Sequence, residues 1–94
     1  MLLHDIVYLS TLVRSLARAK PGATKTGRLI RPTDSEGVAS FGRHILTGAG
    51  LDPVGYEIDG KGASCVIAGQ RGQRGKVRHF HCTVRGDRVT IQKS

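Results

Sequence analysis

Residues 76–92, KVRHFHCTVRGDRVTIQ, alternate apolar and polar side chains on either side of a central Arg85-Gly86-Asp87. A period of two marks a half-buried strand, and a glycine between two such runs marks a tight turn. The segment therefore reads as a β-hairpin with strands over Lys76–Val84 and Arg88–Gln92. Alternation also sorts its two faces. Phe80, Cys82 and Val84 point one way and pair with Val89 and Ile91, while His79, His81 and Thr83 point the other way with Arg88, Thr90 and Gln92. The first set belongs to a core. The second makes a polar, basic sheet face.

Upstream, the loop Gly69–Gly75 holds the only internal repeat, Gly-Gln-Arg twice, and Ala63–Ala68 and Val54–Ile58 read as two more strands. Asp59-Gly60 between them predicts a two-residue hairpin turn with positive φ at both positions. Before Val54 the period becomes helical. Val38, Phe41, Ile45 and Leu46 form one stripe of a helix over residues 33–48, opened by a capping box of Thr33 and Glu36 and closed by Gly48 or Gly50. Residues 1–20 predict a first helix with Leu2, Ile6, Leu9, Val13 and Leu16 inward, stopped by Pro21-Gly22. Residues 21–32 read as a basic linker with a short extended piece at Arg28–Arg31. The expected architecture is a single small α+β domain over residues 1–94: two N-terminal helices packed on a four-stranded antiparallel meander.

Ninety-four residues leave room for one modest core and no second domain. No apolar run approaches the roughly 18 residues of a membrane span, since His4 and Asp5 interrupt the first one. Two cysteines, Cys65 and Cys82, are too few for a disulfide framework and fit a reducing compartment, so the expected location is the cytoplasm. Charge is the distinctive property. The chain carries a formal net charge of +8 and a pI near 10.4. The excess is blocky: residues 33–60 hold Arg43 against Asp34, Glu36, Asp52, Glu57 and Asp59, and basic residues dominate both flanks. Such a balance points to a polyanionic partner.

The candidate contacts are Arg71, Arg74, Lys76, Arg78, Arg85 and Arg88 to phosphate, with His79, His81 and Thr83 as secondary polar contacts. Guanidinium groups suit this role because they bond phosphate oxygens bidentately, and glycines let the loop backbone approach closely. Nearly absent stacking aromatics favour duplex or backbone contact over a single-strand reader. The expected function is a small non-enzymatic nucleic-acid-binding accessory or regulatory protein of the kind phages and mobile elements encode, with no cofactor.

Two alternatives stand beside it. His79 and His81 on one exposed strand face, with Arg78 beside them, can serve as base and acid in a metal-independent ribonuclease toxin. The chain can also act as a protein-binding inhibitor of a nucleic-acid-processing complex, or dimerise through its amphipathic first helix. A metal site from Cys65, His79, His81 and Cys82 is disfavoured, because Cys82 alternates to the face opposite both histidines and no CxxC or CxxH pair exists.

Overall fold

A computed structural model describes the whole chain, Met1–Ser94. Three helices and five strands follow one another as α1 (Leu3–Ala17), β1 (Thr24–Arg28), α2 (Ser35–Ser40), α3 (Gly42–Gly48), β2 (Asp52–Ile58), β3 (Ser64–Gln70), β4 (Arg78–Arg85) and β5 (Arg88–Lys93). The strands form one antiparallel sheet in the order β1-β5-β4-β3-β2. All three helices cover a single face of it, where Ile67, Phe80, Cys82, Val89 and Ile91 meet Leu9, Val13, Leu16, Val38, Ile45 and Leu46. The opposite face carries no layer.

The α+β class and the antiparallel sheet agree with the sequence reading, but the sheet has five strands, not four. The extra strand lies in the segment read as a basic linker. Thr24–Arg28 pairs along the whole free edge of β5, from Thr24↔Gln92 to Arg28↔Arg88. Gly27 makes that possible, because any Cβ there would collide with the Tyr8 ring of α1. Beyond β1 the chain is held to the molecule rather than extended. Asp5, buried in the first turn of α1, accepts hydrogen bonds from the Ile30 and Arg31 amides at 2.8 and 3.2 Å.

The second expected helix is also divided. Phe41, at φ −101° and ψ 10°, leaves helical geometry and separates α2 from α3. Two local forces act there: Ser40 Oγ bonds the Glu36 carbonyl, and Gly42 sits so close to Ile67 that a Cβ would touch its side chain. The N-cap is Asp34, one residue beyond the expected Thr33, and its carboxylate accepts from the Gly37 amide at 2.8 Å. α3 closes with Gly50 at φ +83° and reverse bonds from the Leu51 amide to the Leu46 carbonyl and the Gly50 amide to the Thr47 carbonyl.

The β2–β3 connection is not a two-residue turn at Asp59-Gly60. It is a five-residue loop, Asp59–Ala63, with the positive φ at Gly62, because the Asp59 carboxylate gathers the Lys61 and Ala63 amides and the Ser64 hydroxyl. The β4–β5 turn is as tight as expected, with Arg85 opposite Arg88 and positive φ at Gly86. Cys65 and Cys82 are both free, buried, and directly opposite each other on β3 and β4. The neighbouring Cys65 thiol, and then burial, push the Cys82 thiol well above the usual range.

Candidate nucleic-acid interface

Strand register builds the uncovered face row by row. Because Phe80, Cys82, Val89 and Ile91 are buried inward, their neighbours His79, His81, Thr83, Arg85, Arg88, Thr90 and Gln92 face outward. Nearest the β4–β5 turn, Arg85, Arg88 and Arg28 stand directly opposite one another on β4, β5 and β1. The next row is made of hydroxyls: Ser64, Thr83, Thr90 and Thr26. Thr26 and Thr90 hydrogen-bond to each other at 3.0 Å. Then come Val66, His81, Gln92 and Thr24, and beyond them His79 opposite Ala68. Thr83, Thr90, Arg85 and Arg88 line a shallow depression of about 340 Å³ on this face.

The expected contacts do not form one cluster. Arg71, Arg74 and Lys76 are exposed in the β3–β4 loop at one end of the sheet, and Arg85 and Arg88 lie at the other, separated by the length of β4, about 25 Å. The loop itself is compact. Gly72 takes φ +69° and donates its amide to Asp52 at 3.1 Å, and Gly75 packs against the Arg71 backbone. His79, His81 and Thr83 occupy the span between the two basic ends.

Arg78 is a correction to the sequence reading. It shares the inward parity of Phe80, and its guanidinium donates to the Ala17 carbonyl at 3.2 Å. Lys93, unflagged in sequence, does the same from the end of β5, with Nζ 3.0 and 2.6 Å from the Ala17 and Ala19 carbonyls. Burial, with the Arg78 charge second, lowers the Lys93 pKa from its ordinary 10.5. Both cations thus serve the carbonyl end of α1, where the helix dipole is negative. Arg14 likewise bonds the Gly48 carbonyl at the end of α3, at 2.6 Å.

Four of the seven carboxylates are committed to backbone amides, while Glu57 stands exposed on the uncovered face, opposite Val66 on the edge strand β2. Asp5, Asp34, Asp52 and Asp59 all accept backbone amides, and the molecule contains one ion pair, Arg28 Nε to Asp87 Oδ2 at 3.7 Å, with the Arg28 side chain 69% exposed. Comparison with known families, characterised proteins and solved structures returns no match. The chemistry of the face must therefore be argued from its own groups.

Arg28 is the residue that sequence reasoning missed, because only the β1–β5 register brings it beside Arg88. The two histidines do share the open face as expected. They are not beside the Arg85–Arg88 row, however: His81 is flanked across the sheet by Val66 and Gln92, and the threonine row intervenes. Cys65 and Cys82 face the core, away from both histidines, and no three His, Cys, Asp or Glu side chains converge. No helix is long and apolar enough to cross a membrane.

Proposed function

We propose that this protein binds nucleic acid without cleaving it, laying its uncovered sheet face and the β3–β4 loop along the phosphate backbone, as an accessory or regulatory factor. The observation that carries this reading is the distribution of charge partners: of fifteen Lys and Arg side chains, one pairs with a carboxylate. Cations that are not neutralised internally are available to displace counterions from a polyphosphate. Arg85 and Arg88 at one end and Arg71, Arg74 and Lys76 at the other would contact phosphate, with Thr83, His79 and His81 between them; Arg28, the one paired cation, joins the first end because its side chain is 69% exposed and its Asp87 partner stands at 3.7 Å. Arg78 is withdrawn from that set, since its guanidinium is engaged with α1.

Fluorescence anisotropy with labelled oligonucleotides over a salt series tests the proposal. Binding should weaken log-linearly with salt, and Arg71→Gln with Arg74→Gln should lower the slope by about two. No retention of any oligonucleotide at low salt would refute it. Cleavage of RNA that His79→Ala or His81→Ala abolishes would establish the ribonuclease reading instead. Tight capture of a protein without nucleic acid would establish the inhibitor reading.

A further inference from the structure

We infer that the nucleic acid this face takes is an A-form RNA duplex, gripped across its shallow minor groove with the two basic ends of the sheet on the flanking phosphate strands. The inference rests on the nucleic-acid reading above and adds the class of ligand. It follows from the shape of the face and from what that face lacks.

Five strands at their usual spacing make a surface about 19 Å across, backed throughout by helices. The B-DNA major groove, about 12 Å wide, admits a helix or a two-stranded ribbon, and the minor groove, about 6 Å wide, admits neither. The β4–β5 hairpin cannot enter as a free ribbon. Its tip is walled by β1 up to Arg28, the Leu29 amide bonds the Asp87 carbonyl at 2.6 Å, and the Thr33 amide bonds the Gly86 carbonyl at 3.0 Å. Proteins that open a B-form minor groove with a sheet do so by inserting apolar wedges. The outward rows offer Val66 and Ala68, with Val54 beside them at the β2 edge, none of them large enough to wedge a base step.

Single strands need a stacking platform. Phe80 is buried, Tyr8 packs against Gly27, and Tyr56, though 66% exposed, sits on the edge strand β2, where it borders a depression with Val66, Ala68 and His79. The exposed rings, Tyr56, His79 and His81, thus lie toward the end of the face away from the arginine row and make no continuous platform across it. The centre is instead a field of small hydroxyls and one amide: Ser64, Thr83, Thr90, Thr26 and Gln92. An A-form duplex presents a wide, shallow minor groove lined with 2′-hydroxyls, which are both donors and acceptors. A flat hydroxyl-rich centre with arginines at its two ends complements that surface.

The test compares wild-type affinity for one sequence prepared as an RNA duplex, a DNA duplex and a single RNA strand, near physiological salt. The RNA duplex should bind roughly tenfold or more tightly than either, the equivalent of a few hydroxyl contacts. Thr83→Val with Thr90→Val should narrow the RNA-over-DNA ratio and leave the salt slope unchanged, whereas Arg28→Gln should lower the slope by about one and leave the ratio unchanged. Equal or tighter binding of the DNA duplex overturns the inference and leaves the nucleic-acid reading intact. So does tighter binding of the single strand that His79→Ala and His81→Ala remove. Failure to bind any of the three, at this salt and at low salt alike, overturns both.

Discussion

Replacing Arg88 with threonine should make the protein more stable while weakening its grip on nucleic acid. Arg88 is the middle member of a row, directly opposite Arg85 on one side and Arg28 on the other. Like charges placed opposite each other across strands are each unfavourable by roughly 0.2–1 kcal/mol. Two such contacts sum to about 0.4–2 kcal/mol, and solvent exposure cuts that roughly in half, to about 0.2–1 kcal/mol recovered on substitution. For a domain of this size that raises the melting temperature by roughly 1–8 °C. Arg85→Thr removes one contact and should give about half the gain. Arg28→Thr removes one repulsion together with the Asp87 attraction at 3.7 Å, so it should be close to neutral. Thermal melts followed by circular dichroism provide the measurement, repeated at low salt and at about 1 M salt, where a Debye length of about 3 Å screens the row. A fall in melting temperature for Arg88→Thr, or a gain indifferent to salt, would refute the reasoning. A stabilising loss of this kind is what a surface kept for binding, rather than for folding, predicts.

Two further outcomes concern the carboxylates. Asp5→Ala leaves the Ile30 and Arg31 amides without their acceptor at a buried site and should cost about 2–4 kcal/mol, read as a shifted midpoint in urea unfolding; a shift under about 0.5 kcal/mol would show that water replaces the carboxylate. Asp59 has its pKa lowered from 3.8, chiefly by the Ser64 hydroxyl, against an opposing effect of burial that is second in size, with the Lys61, Ala63 and Gly62 amides adding to the lowering. Its folded value lies below its unfolded one, so its contribution is fully present above 3.8 and disappears as pH falls through the folded value. Acidification from about pH 5 to about pH 2 should therefore lower the melting temperature of the wild type more than that of Asp59→Asn, and parallel curves would remove Asp59 from the acid transition.

How much of this was readable from the chain depends on how local the determining contacts are. The last hairpin was legible because alternation and a turn glycine are properties of neighbours: of its expected inward set, Phe80, Cys82, Val89 and Ile91 are buried in the core and Val84 packs half-buried against it. The α1 stripe was legible for the same reason, apart from Leu2, which is only half-buried. β1 was not. Thr-Lys-Thr-Gly-Arg carries no inward apolar residue, and its strand geometry depends on the β5 edge and on a glycine that admits Tyr8. Missing β1 meant missing Arg28, and with it the row that organises the basic face. The inward turn of Arg78 was foreseeable from parity with Phe80, but positive charge in a basic segment masked it.

The sulfur pair in the middle of the sheet has a practical corollary. Cys65 and Cys82 are 1% and 0% exposed, and no other thiol exists in the molecule. An alkylating reagent reaches them only when β3 and β4 part from the helices above, so its rate of reaction reports how often the interior opens. The protein thus carries its own clock for breathing of the core, readable on an unlabelled sample with or without an oligonucleotide on the far side of the sheet.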